Sequence, residues 1–326
     1  MNVVLTGSTG WLGRFLAPLL RAHGHTVIGL DVAPGPNTQV VGSVHDRAAV
    51  QRAFVTAGRV DAVIHAGALH KPDIVRHPAQ AFIDVNVTGT QVLLDAASAA
   101  GASRFVFTST TSLMISRTIR EATRGAAVWL DEGAAPLEPR NIYGATKLAA
   151  EALCRVHHIE HGLPCVVLRT SRFFPEDDDT HSTPSGPNLK ANEFLHRRLT
   201  VEDAARAHLL ALEQAPAVGF DVLVVSAPPP FERTDAAALG HDAAQVIESR
   251  FPGVRELYAA RGWVLPERIG RVYDPGRAER VLGFRARTDF AAVLAALRTG
   301  APLPFAHDPA YTSPAARQPS DLDLCS

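Results

Sequence analysis

Through the first half of the chain, short β-branched runs alternate with Ala- and Leu-rich amphipathic stretches. The apolar runs predict strands over Asn2–Thr6, Thr26–Asp31, Gln39–Gly42, Ala62–His65, Arg104–Thr108 and Cys165–Arg169. Helical periodicity predicts helices over Trp11–His23, Asp46–Ala57, Pro78–Ala100 and Tyr143–His161. Gly24, Gly58, Gly101 and Gly162 each follow the last periodic residue, where a residue that tolerates positive φ closes a helix. Such alternation makes a parallel sheet covered on both faces, so the expected fold is α/β, a doubly wound parallel sheet of the Rossmann type. Past Arg169 the pattern weakens, and Phe173–Asn192, with the acidic run Glu176–Asp179, reads as a polar mobile loop. A helix over Val201–Gln214, a strand over Phe220–Val225 and short helices to about Thr299 are assigned to a smaller C-terminal substrate-binding lobe. The expected division is therefore a cofactor domain over 1–170, an interleaved lobe over 171–299, and an extended or disordered Pro-rich tail over 300–326.

With 326 residues, 46% of them hydrophobic, the chain is able to bury a full core. Its 32 basic residues balance 33 acidic ones, so nothing draws it to nucleic acid or an anionic membrane, and small molecules are the expected partners. No apolar run reaches the roughly 18 to 20 residues that span a bilayer, and no cleavable leader precedes the first strand, which predicts a cytoplasmic location. Cys154, Cys165 and Cys325 are too scattered for a disulfide framework or a zinc site and are read as reduced thiols. The cluster His157, His158, Glu160 and His161 is read as an exposed polar helix face, because successive helix positions point in different directions; no metal is expected.

The segment from Val3 to Gly13 places Gly7, Gly10 and Gly13 where the first strand hands over to the first helix. Glycines there let the backbone turn tightly and approach a pyrophosphate, whose charge meets free N–H groups and the positive end of the helix dipole. Asp31, at the end of the second strand, suits both hydroxyls of an adenosine ribose and repels a 2′-phosphate. Val32, Ala33 and Pro34 offer no cation to such a phosphate, so NAD is expected over NADP; Arg14 is the one nearby residue with the reach to alter that.

Tyr143 and Lys147 stand four apart and emerge from one helix face. An ammonium beside a phenol favours the phenolate, which predicts a lowered Tyr143 pKa suited to general base catalysis. Ser109, Thr110, Thr111 and Ser112 follow the fifth strand, where open α/β sheets place ligands, although spacing alone does not select among them.

TGSTGWLG, Asp31, VIHAGAL at Val63–Leu69, NVTGT at Asn86–Thr90, FTSTTS and YGATK together resemble the extended short-chain dehydrogenase/reductase family, also called the NAD-dependent epimerase/dehydratase family, over about the first 175 residues. The resemblance implies that Gly10, Trp11 and Leu12 line the pyrophosphate, that Asp31 binds ribose, and that Ala66, Gly67 and Ala68 pass under the cofactor. Val44 and Asn86 are expected beside the same cleft. Lys147 would also hold the nicotinamide ribose, with Ser109 and Tyr143 also against the cofactor, and Thr110 takes the catalytic hydroxyl position, with Ser109 as second choice. The family's 4,6-dehydratases carry an Asp-Glu pair after the catalytic Thr; Thr111 and Ser112 stand there, which argues against dehydration. Arg172 replaces the usual residue near the nicotinamide end and is a candidate clamp for a substrate carboxylate or phosphate, with an ordinary salt bridge as its other reading. His70 and Thr111 are further candidates for substrate contact, His70 being equally compatible with a structural role.

The leading expectation is an NAD-dependent dehydrogenase or reductase acting on a secondary alcohol or ketone of a sugar-like or polyol substrate. A sugar or nucleotide-sugar epimerase with retained cofactor is the alternative. A non-catalytic NAD sensor is a third, opposed by the intact Tyr143 and Lys147. The resemblance also implies a homodimer joined through the Tyr143 helix, whose Ala-rich face Ala145, Ala149 and Ala152 permits close helix packing.

Overall fold

A computed structural model describes residues 1–177, 184 and 186–314. Its strands are β1 (Asn2–Thr6), β2 (Thr26–Asp31), β3 (Val40–Val41), β4 (Ala62–His65), β5 (Arg104–Thr110), β6 (Val128–Leu130), β7 (Cys165–Thr170), β8 (Phe220–Val225) and β9 (Arg271–Tyr273). Seven of them form one parallel sheet in the order β3-β2-β1-β4-β5-β7-β8. The chain builds outward from β1 to β3, returns to β4 beside β1, and then builds the other way. That reversal opens a crevice at the carboxyl ends of β1 and β4, the place where such sheets hold ligands.

The principal helices are α1 (Trp11–Ala22), α2 (Arg47–Ala57), α3 (Gly89–Ala99), α4 (Ile142–His161), α5 (Gly186–Glu193), α6 (Val201–Val218) and α7 (Phe290–Thr299). On one face of the sheet α1 and α6 bury Leu12, Leu16, Leu20, Leu209 and Leu212 against Val3, Leu5 and Ile64. On the other, α2, α3 and α4 bury Val50, Phe54, Leu93, Leu94 and Cys154 against Val4, Val63, Phe105 and Phe107. These i, i+4 repeats are what the periodicity predicts. The helix at 201–218 and strand β8 thus belong to the main sheet layers and not to the smaller lobe, because α6 packs on α1 and β8 pairs with β7.

The single helix expected over Pro78–Ala100 is broken into Ala79–Phe82, a π-helical turn Ile83–Thr88, and α3. Asn86 lies in that turn, fully buried. Part of the expected loop over Phe173–Asn192 is the buried helix α5; Asp178 and Asp179 of the acidic run lie outside the described residues. No apolar stripe marks α5, since Asn188, Lys190, Asn192 and Glu193 are all buried and bonded; Asn188 and Asn192, for instance, both donate to the Val264 carbonyl. A separate core of Phe194, Leu195, Phe231, Ile247, Tyr258 and Phe290 forms the lobe, next to the two-stranded parallel sheet β6-β9. The tail is not loose where described: Phe305 is buried against Phe194, and the Asp308 N–H donates to the Pro175 carbonyl at 2.9 Å. Cys154 and Cys165 are buried free thiols, and Cys325 lies outside the described residues. Among the described residues no helix is long and apolar enough to cross a membrane.

Candidate active site

Gly7 adopts φ +72°, a region that favours glycine, and a Cβ there would sit 2.8 Å from the Gly67 nitrogen. A Cβ on Gly13 would sit 2.2 Å from the Gly7 carbonyl oxygen, so α1 meets the loop only through glycine. This close packing draws the β1 and β4 turns together into one cavity wall. Gly7, Gly10, Trp11, Leu12, Asp31, Val44, Ala66, Gly67, Ala68 and His70 all line that cavity. The Asp31 carboxylate accepts the Thr9 N–H at 2.9 Å and the Ala33 N–H at 3.3 Å, which fixes it at the cavity edge. The Trp11 indole N–H is buried with no hydrogen-bond partner among the described residues, a donor left over beside the glycine loop. Small residues at the turn, a free donor and a fixed carboxylate fit a dinucleotide.

Of the expected cofactor residues, Ser109, Tyr143 and Lys147 line a neighbouring cleft, and Gly13 and Asn86 line neither space. Gly13 shapes the turn from behind. Asn86 accepts the Leu69 N–H at 2.9 Å and donates to the Leu69 carbonyl and to Thr146 Oγ1, each at 3.1 Å. It ties the β4 loop to α4 and does not reach the cavity wall. Arg14 donates through Nε to the Thr9 carbonyl at 2.9 Å and lies over the Tyr311 ring.

Helix α4 begins at the Asn141 cap, whose side chain accepts the Gly144 N–H at 3.0 Å. The buried face that follows carries Tyr143, Lys147, Glu151 and Cys154. Tyr143, Lys147, Ser109, Thr110, Thr111 and Arg172 line a second, larger cleft under the lobe. Ala66, His70, Thr108, Phe173 and Phe174 line both spaces, so the cleft and the glycine-loop cavity meet there. The Thr110 hydroxyl donates to Ser112 Oγ and accepts the Ser112 N–H, each at 3.1 Å, and stands close enough to Tyr143 to ease ionisation of the phenol. Ser109 instead donates to Glu151 at 2.5 Å, and Glu151 also takes a two-point salt bridge from Arg169 at 3.0 and 2.7 Å. Thr111 donates to the Thr170 carbonyl at 3.3 Å.

The electrostatics differ from the sequence expectation. Burial pushes Tyr143 up to about 12, the neighbouring Thr110 hydroxyl opposing it and the Asp73 charge adding to it. Lys147 is pushed down to about 7 by burial, against the opposing pull of Cys154 and Glu151. Its ammonium faces the Phe107 ring at 4.1 Å, and desolvation outweighs any influence on the phenol. His70 is held near 4, mainly by burial, and is therefore neutral; its ring packs on Tyr143 and Phe174 at 5.9 and 5.2 Å. Its backbone N–H donates to the Asp73 carboxylate at 2.7 Å, and its carbonyl accepts the Asp73 N–H at 2.9 Å.

Arg172 shares the cleft wall with Arg140, Arg197, Arg268 and Arg271, against Glu176, Asp177 and Glu193. Glu193 is taken up by Arg197 and Arg198 at 3.1 and 2.7 Å, so positive charge prevails among the described residues of the wall. Sequence reasoning missed Glu151, which stands one turn beyond Lys147 on the same face, and Tyr311, whose Pro-rich surroundings show no periodicity. The predicted polar face at His157 is also corrected: His157 is buried against Gln91, at 2.9 Å, because α3 packs there.

The sequence profile of the NAD dependent epimerase/dehydratase family matches residues 3–225. The chain belongs to that family. The dTDP-glucose 4,6-dehydratase of Streptomyces griseus is 31% identical over 225 residues, 60% of this chain and 66% of that protein. An L-arabinose 1-dehydrogenase (NAD(P)(+)) of Haloferax volcanii is 31% identical over 182 residues, 54% of this chain and 69% of that protein. The chain spans between 57% and 66% of the length of several such curated relatives. A solved short-chain dehydrogenase/reductase superfamily protein from Agrobacterium tumefaciens, with bound NAD, superposes with a TM-score of 0.64 at 26% identity, covering 92% of this chain and 96% of that one.

Proposed function

We propose that the protein is an NAD-dependent oxidoreductase acting on a secondary alcohol or ketone of an anionic, sugar-like substrate. The observation that carries this reading is the position of Tyr143, Thr110 and Lys147 on the cleft wall, next to the residues shared with the glycine-loop cavity. NAD, when bound by Gly7, Gly10, Trp11, Leu12, Asp31, Val44 and the Ala66–Ala68 turn, supplies the hydride acceptor or donor. Tyr143 moves a proton at the substrate oxygen, and Thr110 holds that oxygen and the phenol together. Raised to about 12, Tyr143 is a proton donor at neutral pH, a state suited to the ketone direction; the neighbouring Thr110 hydroxyl is the influence that eases its ionisation. Lys147 places a titratable ammonium behind the pair. Arg172 and its neighbouring guanidinium groups attract a carboxylate or phosphate on the substrate. Thr111 and Ser112 offer no carboxyl acid to protonate a leaving hydroxide, which disfavours dehydration.

The epimerase reading gains support from one feature, the wall that C-terminal residues add to the cofactor cavity, which suits a retained cofactor. Incubation with NAD and a panel of sugars, sugar acids and sugar nucleotides separates the two. Accumulating NADH supports the dehydrogenase; a sugar isomer formed without free NADH supports the epimerase; neither product on any member of the panel overturns both. We further propose a cytoplasmic homodimer joined through α4, where Ala145, Ala149 and Ala152 are exposed and continue into the exposed Val156 and Ile159.

A further inference from the structure

The C-terminal segment crosses from the lobe to the glycine loop. On the lobe side it is fastened at three points. Phe305 packs on Phe194 with ring centroids 5.4 Å apart, His307 is hydrogen-bonded to Lys190 at 2.8 Å, and the Asp308 N–H meets the Pro175 carbonyl. On the far side Tyr311 meets Trp11 edge-on at 5.3 Å, with the Arg14 guanidinium 5.9 Å from its ring centre. Tyr311, with Ser313 and Pro314 just past it, walls the same cavity as Gly10, Trp11 and Asp31, while Pro309, Tyr311 and Thr312 line the substrate cleft.

We propose that residues 305–314 are a strap that completes the cofactor site and retains NAD, with Tyr311 as its contact residue. The inference rests on the NAD reading above. A ligand in the cavity lies between the glycine loop and a covalent segment fixed to the lobe, so its departure through that side requires the Trp11–Tyr311 contact to open. Arg14 then acts as a support for the Tyr311 ring and not as a phosphate ligand.

The test compares wild type, Tyr311→Phe, Tyr311→Ala and a chain ending after Phe305. Affinity for NAD is measured by calorimetry, and its release by trapping freed NAD with excess alcohol dehydrogenase and ethanol. The proposal predicts that Tyr311→Ala releases NAD about tenfold faster, the scale of one lost aromatic contact. The shortened chain should release it faster still, with Tyr311→Phe close to wild type. Thermal melting without cofactor checks that each variant folds; if the shortened chain does not, Tyr311→Ala decides. Release rates and affinities within twofold of wild type in Tyr311→Ala would overturn the strap. A wild-type protein that binds no NAD would overturn the cofactor reading itself, a separate and recognisable outcome.

Discussion

Asp31 is 7% exposed, and its carboxylate is held by two backbone N–H groups at the cavity edge. In the proposed site it is the acceptor for ribose hydroxyls, and a hydrogen bond to a charged group contributes about 1.5–3 kcal/mol. Asp31→Asn is therefore expected to weaken NAD binding about tenfold or more and to narrow the gap to NADP, as read by calorimetric titration of both nucleotides. Unchanged affinity for both would remove Asp31 from the site. The residues at this scale were legible because each sits at a spacing with a mechanism: Asp31 closing a strand, Tyr143 and Lys147 one turn apart. Their environment was not legible. Sequence spacing brings Lys147 near Tyr143 but says nothing of the depth at which both are buried, and burial reverses the expected direction of the Tyr143 shift.

Helix α4 joins the proposed chemistry to packing, since one face carries Tyr143 and Lys147, the proposed catalytic pair, and, a turn later, the carboxylate that binds Ser109 and Arg169. Glu151 and Arg169 are 5% and 4% exposed, so removing one partner strands the other charge in the core. Glu151→Ala is expected to destabilise the fold by about 3–5 kcal/mol in urea unfolding. The pH dependence of turnover should also move, because the carboxylate that holds Lys147 up is gone. Arg169→Met combined with Glu151→Leu should recover most of the stability; a double variant no better than Glu151→Ala would contradict the ion-pair account. The long amphipathic elements were readable from period alone. Helix α5 was not, because its buried side is polar, its asparagines bonded to the distant Val264 backbone and Glu193 to Arg197 and Arg198, and the π-helical turn at Ile83–Thr88 is not marked by a change in apolar spacing.

At the scale of the whole molecule, burial holds the imidazoles of His65, His70 and His208 neutral, with His70 and His208 at about 4. In the unfolded chain the same groups take up protons below 6.5. The unfolded state thus binds more protons between pH 6.5 and 4, and stability is lost as pH falls through that window. For the fully buried His208, bonded to Thr108 at 2.7 Å, the loss approaches about 3 kcal/mol by pH 4. His208→Gln should flatten the fall in urea midpoint between pH 7 and 5, and an unaltered slope would contradict this assignment. The parallel sheet with helices on both faces follows from alternation that the sequence displays openly. The lobe and the C-terminal strap do not, since their cores join Ala127, Phe194, Phe231, Phe290 and Phe305 across long separations with no common period.

The account turns on hydride transfer that depends on Tyr143, and absorbance of NADH tests it most directly. Wild type and Tyr143→Phe, each shown by calorimetry to bind NAD, are incubated with the same panel of sugars, sugar acids and sugar nucleotides while NADH is recorded and products are separated. The account predicts conversion by wild type, fastest on anionic members, and a loss of about 10²-fold or more in Tyr143→Phe with NAD binding retained. Equal turnover by the two proteins would contradict it.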